Sequence, residues 1–449
     1  MMLILLQILV LYSPLVSTDA LFEEYLRMGK IAYTGILMPI HYHFESEPLN
    51  KHYNYLDSKL LINVGFEHRD SNVLWLYPFF QHKHKNFGLV VEPLLKIGDQ
   101  TIWPYILWEE YFTAGYSRAY LYYNNNNLFL NLGRNRLAMG LETLMDDKDT
   151  PFDHFLIKYS GKHLQGFYFL GEFDYQTPQD TSSYYTKGKT YRRFITGHGI
   201  ESRFWKLTGG FTEVALFYNE ANSPYFYWYN PLILYHPQLW DMGGAGEQNV
   251  FWMLFLNYWG RKVSAHSEVV IDDFQYHPTS PGYWPHKLAW SFRVNVKDPF
   301  LKPSFLKLEY SGINRWTYNH GIPILRWTNR REIMGKFRDN DMDSLSLSLT
   351  KYKDHHSLIV SCGYVRKGIG HVMEKDTFYT NSNGYPQGVF LSPIQHKGCF
   401  LSLSYCLIRN NFGIKPSILF SNERPTVGEH SNYFTIQFEV FYYPLKERS

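Results

Sequence analysis

The sequence has few cysteines, little net charge and no long apolar run beyond its first residues. Only Cys362, Cys399 and Cys406 occur among 449 residues, too few for a disulfide framework and without the paired spacing of a zinc site. The net charge of +3 gives no case for nucleic-acid binding, which requires a concentrated basic patch. No later segment approaches the roughly 20 apolar residues of a membrane helix.

The first twenty residues predict a secretory signal peptide. The stretch from Leu3 to Val16 is largely apolar, and Thr18-Asp19-Ala20 supplies small residues where a signal peptidase cleaves. No Lys or Arg precedes the apolar run, so the usual positive start of such a peptide is missing. We therefore expect residues 1–20 to be a signal peptide and the mature chain to lie outside the inner membrane.

Aromatic residues are abundant and stand in segments that alternate apolar and polar. Phe, Tyr and Trp make up 18% of the chain, and alternation is clear in residues 345–350, 401–407 and 436–440. Successive side chains of a strand point to opposite faces, so each segment has one apolar and one polar face. A soluble sheet could use this pattern, but an outer-membrane barrel also needs the girdles of Tyr and Trp. The sequence thus favours an outer-membrane barrel.

The same pattern predicts the domain organisation. Residues 21–30 have apolar residues at helical spacing, so a short N-terminal helical segment is expected within residues 21–50. Strand patterns begin near residue 58, and at roughly 20–24 residues per strand and turn they predict about 16–18 strands. The predicted fold is all-β, with one antiparallel transmembrane barrel over residues 51–449.

Motifs that carry catalysis are missing. The sequence has no Gly-x-Ser-x-Gly elbow, no Walker-type phosphate loop and no His-Glu-x-x-His helix. Neighbouring Asp272 and Asp273 would point to opposite faces of a strand and so could not flank one glycosidic bond. The acidic run Asp339 to Asp343 lacks the glycine of a calcium loop and is interpreted as a solvated loop. We expect neither an enzyme nor a cofactor or metal.

Charged residues of the predicted strands would point into the barrel if the apolar face meets lipid. Burying them is costly unless opposite charges pair. One interpretation is a ladder of salt bridges along the wall, and another is a polar, aromatic surface that holds sugar hydroxyls and acidic groups. The residues expected to point inward are Arg134, Arg136, Glu142, Glu201, Arg203, Glu213, Glu268, Asp272 and Glu309.

Several short motifs, in order over roughly residues 120–350, resemble the capsule-assembly (Wzi-like) family of outer-membrane barrels. They include a Gly-Arg strand, an Asn-Pro turn, a strand-ending acidic pair and a Tyr-x-His motif. The blocks are residues 131–140, 151–153, 192–194, 198–203, 207–218, 229–232, 248–249, 269–273, 308–310 and 316–325.

This resemblance implies a plugged barrel that acts as a surface lectin and helps to nucleate or anchor a glycan layer. It also implies a small helical element on the periplasmic side, to which the N-terminal segment 21–50 would belong. Polar strand residues and the extracellular loops would meet the glycan. The candidate glycan-binding or lumenal residues are Arg134, Arg136, Asp153, His198, Glu201, Arg203, Glu213, Asn230, Asp272, Glu309, Tyr310 and Tyr318.

The expected function is therefore binding of capsular or exopolysaccharide by a monomeric barrel in the bacterial outer membrane. Its other expected partners are outer-membrane lipid and the barrel-assembly machinery, and no nucleic acid is expected. The first alternative is a porin or substrate-specific diffusion channel, which needs an open lumen and would conduct ions. The second is a hydrolase or other glycan-active enzyme, which would need convergent acid, base or nucleophilic groups.

Overall fold

The computed structural model describes most of the chain between residues 37 and 442. The described ranges are 37–39, 58–68, 72–98, 107–109, 112–125, 127–146, 149–176, 190–219, 226–237, 248–274, 286–299, 304–330, 332–337, 339–353, 356–372, 390–409, 412–425 and 431–442.

Nearly all of these residues lie in strands or in the turns between them. The strands are β1 Leu37–Pro39, β2 Ser58–His68, β3 Asn72–His84, β4 Phe87–Gly98, β5 Leu107–Glu109, β6 Phe112–Asn124, β7 Leu128–Asn135, β8 Leu137–Met139, β9 Phe152–Ser160, β10 Leu164–Glu172, β11 Arg192–Phe204, β12 Leu207–Asn219, β13 Gln248–Trp259, β14 Val263–Asp273, β15 Lys287–Lys297, β16 Ser304–Ile313, β17 Thr328–Asn329, β18 Glu332–Ile333, β19 Met342–Lys353, β20 His356–Gly368, β21 Ile394–Arg409, β22 Phe412–Pro425 and β23 Ser431–Tyr442.

Eighteen long strands of the described chain form one antiparallel barrel. They are β2 to β4, β6, β7, β9 to β16 and β19 to β23, each paired with the next along the chain. The barrel closes where β2 pairs with β23, from Ile62 opposite Tyr442 to His68 opposite Ile436. The short β5 pairs beside β6, while β1 with β8 and β17 with β18 form separate two-stranded sheets. The predicted all-β antiparallel fold is therefore correct.

The N-terminal predictions fall mostly outside the described residues. The proposed signal peptide, residues 1–20, lies outside them entirely, as does the predicted helix at residues 21–30. From the segment 21–50 the structure describes only Leu37–Pro39, which is a strand paired with Leu137–Met139. Among the described residues no helix has the length and apolar character needed to cross a bilayer.

The two faces of the wall are distinguished by alternating exposure. In β13, Phe251, Met253 and Phe255 are buried, whereas Leu254 and Leu256 are 48% and 54% exposed. Phe251 contacts residues within the barrel, so the buried series faces the lumen and the exposed series faces outward. Residues directly opposite on antiparallel strands share a face, and this assigns every paired strand residue to the inner or outer face.

The barrel has one end with short turns and one with long connections. Adjacent strands meet through residues 85–86, 161–163 or 205–206 at the first end, but through residues 136–151, 220–247 and 314–341 at the second. Phe204 and Trp205 are strongly exposed at the short-turn end, as expected for an aromatic girdle. In outer-membrane barrels the short turns face the periplasm and the long loops face outward.

Candidate functional site

Two long connections fold into the lumen and fill the long-loop end. We call the described residues of 136–150 and 314–341 the plug. Leu144, Met145, Trp327 and Met334 of the plug are fully buried and belong to one apolar cluster with inward residues of the wall. The Trp327 ring lies 4.6 Å from that of Phe251 in β13. Across the described residues, this half of the lumen is packed like a protein core.

The two parts of the plug are hydrogen-bonded to each other. Tyr318 Oη donates to the Thr143 carbonyl at 2.7 Å, and Trp327 Nε1 donates to the Leu144 carbonyl at 2.9 Å. The Asp149 carboxylate accepts from Gly335 N at 2.8 Å. Gly335 has φ +96°, and a Cβ there would lie 2.4 Å from the Thr143 carbonyl oxygen, so only glycine fits. The plug is thus one packed unit and not two separate loops.

Buried carboxylates on the inner face hold the plug to the wall. Glu268 accepts from Leu141 N at 2.7 Å and from Thr143 N at 3.0 Å, while Asp272 accepts from Tyr318 N at 2.7 Å. These bonds offset part of the cost of removing the carboxylates from water. Burial and the nearby Glu268 charge raise the pKa of Tyr318 well above its usual range, so its hydroxyl remains a donor.

Arg193 of β11 holds the same plug through its carbonyl groups. Its guanidinium donates to the carbonyls of Ile324, Arg326 and Thr328 at 2.7, 2.7 and 2.8 Å and to Asp174 at 2.6 Å. The side chain is completely buried. A planar guanidinium with five N–H donors can satisfy such a set of acceptors in one geometry.

Glu309 joins the wall and the plug by ion pairs. Its carboxylate lies 2.5 Å from Arg293 Nε of the neighbouring strand and also contacts Lys336 Nζ from the plug. Nearer the short-turn end, His266 Nε2 lies 3.1 Å from Ser264 Oγ, which also accepts from Asn295 Nδ2 at 3.1 Å. The inner face therefore carries a polar network that continues below the plug.

A third connection lies on the opposite side of the wall. Residues 226–237, which we call the outer flap, begin with a 3₁₀ helix over Phe226–Tyr229. Trp228 and Tyr235 of the flap are buried in a separate cluster with outward residues of β11 to β13, among them Phe217 and Val250. The rings of Trp228 and Phe217 stack at 4.4 Å. The flap therefore packs on the outside of the barrel.

Glu213 anchors the outer flap. Its carboxylate accepts from Tyr235 N at 2.5 Å, His236 N at 3.0 Å and Trp252 Nε1 at 2.7 Å. His198 Nε2 lies 3.6 Å from the same carboxylate. Glu213 lies two residues from Phe211 on the same strand and so shares its face, and Phe211 is directly opposite the outward Leu254. A carboxylate on that face is thus buried under polypeptide.

Three arginine–carboxylate pairs also lie on the outer face, close to the long-loop end. Arg134 Nη2 lies 2.5 Å from Asp153 Oδ2, and Arg192 Nη2 lies 2.6 Å from Glu172 Oε2. The third pair joins Arg366 and Asp343, whose Oδ2 also accepts from Tyr310 Oη at 3.2 Å. Each pair links adjacent strands.

The twelve candidate residues are distributed among four places. The inner face carries Glu201, Arg203, Asp272 and Glu309, and the plug contains Arg136 and Tyr318. The outer flap contains Asn230 and covers His198 and Glu213. The outer rim carries Arg134, Asp153 and Tyr310.

The expectation that Arg134 and Glu213 point inward is wrong. Arg134 is partly exposed at the rim, where water reaches it, and Glu213 is covered by the outer flap, so neither charge meets bare lipid. The plug residues Glu142, with φ +69°, and Arg136 lie in a connection and not on a strand. Arg136 donates to the Asp149 carbonyl at 3.0 Å and to Ser117 Oγ at 2.8 Å.

The acidic run at residues 339–343 is not a solvated loop. Asp339 and Asp341 are buried, and they accept from the backbone N–H groups of Val372 at 2.9 Å and Gly370 at 2.8 Å. Their role is to fix the start of the next long connection. In the described part of the chain, no three His, Cys, Asp or Glu side chains are grouped as a metal site would require.

The barrel is similar to solved outer-membrane proteins. Wzi of Escherichia coli, described as a carbohydrate-binding β-barrel involved in group 1 capsule assembly, superposes with a TM-score of 0.59 at 10% identity, over 88% of this chain and 86% of that one. OprD of Pseudomonas aeruginosa gives 0.46 at 11% identity over 87% and 94%, and OccAB4 of Acinetobacter baumannii gives 0.47 at 12% over 86% and 96%.

No family model and no curated protein matches the sequence. The superposition on Wzi, at 10% identity, shows a common fold and leaves the function open. The closed sheet, the apolar outward series and this similarity in fold agree on one class. The chain is an outer-membrane β-barrel, and its long-loop end is expected to face the cell exterior.

Sequence reasoning missed a cluster at that exterior rim. Tyr175 is 60% exposed beside the Arg192–Glu172 pair, and Arg192 Cζ lies 5.8 Å from the centre of its ring. In the sequence, Arg192 stands out only as part of a family-like block, and Tyr175 follows the end of β10. Exposure at the rim, which the linear sequence does not record, is what distinguishes this tyrosine from the many others.

Proposed function

We propose that this barrel binds surface polysaccharide at its exterior end and supports the assembly or attachment of a capsule or exopolysaccharide layer. The observation that carries the proposal is the plug, because a lumen filled with buried Tyr318 and Trp327 suits a binding platform better than a diffusion pore. The similarity in fold to a carbohydrate-binding barrel is consistent with it.

The glycan contacts that we propose lie at the exterior rim. Arg192 reaches Glu172 through two hydrogen bonds of 3.0 and 2.6 Å, which hold the guanidinium beside the exposed face of Tyr175. An aromatic face suits a pyranose ring, and arginine suits an acidic group or hydroxyls on the sugar. Arg134 and Asp153 present a second exposed pair on the same rim.

The buried candidates take a different part in this proposal. Glu213, Asp272, Glu309 and Tyr318 already have partners in the wall, the plug or the outer flap. They would position the exterior connections and not touch the glycan. Glu201 and Arg203, near the short-turn end of the inner face, lie far along β11 from the exterior rim.

The proposal is tested in a deletion strain that carries plasmid-borne variants, by measuring cell-bound and released polysaccharide. Y175A should lose about 1 kcal/mol of binding, or roughly fivefold in affinity, and release more glycan at unchanged total. Tyr159 provides the matched control, because it is 51% exposed at the short-turn end. Equal retention by the wild type, Y175A and the deletion strain would contradict the proposal.

A conductance measurement separates the proposal from the diffusion-channel alternative. With the plug in place, the purified barrel should give no stable ion conductance in planar bilayers. A steady conductance of the wild-type protein, together with unaltered cell-bound polysaccharide in the deletion strain, would assign the barrel to transport.

A further inference from the structure

The outer flap has a composition unlike that of a solvated loop. Residues 226–237 contain no Asp, Glu, Lys or Arg. Two of their large aromatic side chains, Trp228 and Tyr235, are buried against the wall. On their exposed side, which also contains Asn230, the large side chains are apolar, with Leu232 at 91%, Leu234 at 48% and Tyr229 at 46% exposure. A segment apolar on both sides is expected where lipid and not water lies beyond it.

The flap reaches about halfway down the wall. Glu213, which accepts two backbone N–H groups of the flap, is the seventh of the thirteen residues of β12. A transmembrane strand needs about 9–11 residues to cross the hydrocarbon region. The middle of such a strand therefore lies well inside the bilayer, and the flap, which starts from the exterior end, descends to this level.

The wall under the flap carries polar groups that lipid would not accommodate. Tyr168 Oη donates to the Trp228 carbonyl at 2.9 Å, and Thr196 Oγ1 lies 3.1 Å from Tyr235 Oη. Glu213 and His198 lie beside them on the same outer face. Bare strands would present a carboxylate, an imidazole and two hydroxyls to the hydrocarbon region, at a high cost in free energy.

We propose that the outer flap is part of the lipid-facing surface of the barrel, and that acyl chains of the outer leaflet pack against Tyr229, Leu232 and Leu234. The apolar outward series of the bare wall continues directly below it, with Ile200, Leu254 and Leu256 about half exposed. The flap therefore completes a continuous apolar belt where the outward residues of the strands include Glu213, His198 and Thr196. Asn230 Oδ1 accepts from Leu232 N at 3.0 Å, so this acceptor is satisfied within the flap.

The experiment places a nitroxide on single cysteines in liposomes of phosphatidylcholine. The three native cysteines are first replaced by alanine, and the label is then attached at L232C, at L254C as a lipid-facing control and at K162C as an aqueous control in a short turn. Collisions with oxygen, which partitions into lipid, are compared with collisions with a water-soluble nickel chelate.

The label at L232C should resemble the one at L254C, with oxygen collisions at least about fivefold favoured over nickel relative to K162C. Accessibility to nickel equal to that of K162C would show a water-exposed loop and overturn the proposal. Shielding from both reagents would show contact with another protein and would overturn it as well. L234C repeats the measurement at an independent site, should the change at Leu232 disturb folding.

Discussion

The plug and the outer flap are long connections that leave the same end of the barrel and fold onto opposite faces of its wall. Glu268 fixes the plug by accepting from Leu141 N and Thr143 N, and Glu213 fixes the flap by accepting from Tyr235 N and His236 N. In both cases one buried carboxylate holds a pair of backbone donors.

The two connections differ in the charged residues that they carry. The plug carries charged groups such as Lys336, which pairs with Glu309 inside the barrel, whereas the flap has no charged residue at all. The polarity of a wall residue is therefore decided by what covers it. A carboxylate can stand on either face, provided that polypeptide shields it and supplies donors.

The largest effect is expected from R193M, compared with R192M one residue away on the other face. Removing one partner of a buried charge network typically costs about 3–5 kcal/mol, whereas an exposed pair contributes about 0–1 kcal/mol. The free energy of unfolding should therefore fall sharply for R193M and little for R192M, measured by urea titration of the heat-modifiable gel shift. Equal losses in the free energy of unfolding would mean that the inner-face Arg193 and the outer-face Arg192 contribute equally to stability.

E213Q should loosen the outer flap and leave the plug intact. The amide keeps one acceptor oxygen for three donors, so about 2–3 kcal/mol should be lost locally. Hydrogen exchange of the peptides that contain residues 226–237 should accelerate, while exchange of residues 141–145 stays unchanged. E268Q should have the opposite effect, with faster exchange of residues 141–145 and unchanged exchange of residues 226–237. If either substitution changed the exchange of both segments, the plug and the flap would be coupled.

Acidification should weaken the plug. Burial, with Lys287 nearby, lowers the pKa of His320 to about 3, and its Nδ1 accepts from Ile322 N at 3.0 Å. The unfolded chain binds this proton near pH 6.5 and the folded chain does not, so stability falls as the pH drops from 6.5 toward 3. The loss is up to about 1.4 kcal/mol per pH unit.

Limited proteolysis of the plug between pH 7 and 4.5 measures this effect. H320N keeps an acceptor but does not titrate, so the difference between wild type and H320N isolates His320 from other groups. Identical pH profiles of the two proteins would contradict the assignment.

The smallest effect is expected from R134A. Arg134 and Asp153 are partly exposed, so the pair should contribute no more than about 1 kcal/mol to unfolding, and less at high salt. Urea midpoints at low and high salt check this. A loss comparable with that of R193M would indicate that the rim is shielded from water to a degree that the structure does not suggest.

The barrel itself could be predicted from the sequence because strand alternation is a local property. Segments such as residues 345–350 and 401–407 lie in β19 and β21 as expected. Which face each polar residue occupies could not be predicted where both faces are covered. Val214 to Tyr218 form an unbroken apolar run, the mark of a strand buried on both sides, and it belongs to the strand that carries Glu213.

Within the outer flap, the sequence motifs indicate only an Asn-Pro turn. Its one sequence signal is the lack of charge from residue 226 to residue 237, which distinguishes it from an ordinary surface loop. The plug contacts were also beyond prediction, because Thr143 and Tyr318 are 175 residues apart and meet only in the closed barrel.

Glu213 also restricts the order of events when the barrel enters the membrane. Until residues 226–237 fold down, β12 would carry an unshielded carboxylate through the apolar layer. Trp252, another donor to Glu213, is on β13, so the carboxylate is fully satisfied only when this strand has also paired. Strand β12, its connection and strand β13 are therefore expected to insert as one unit, with the flap already in place before lipid surrounds them.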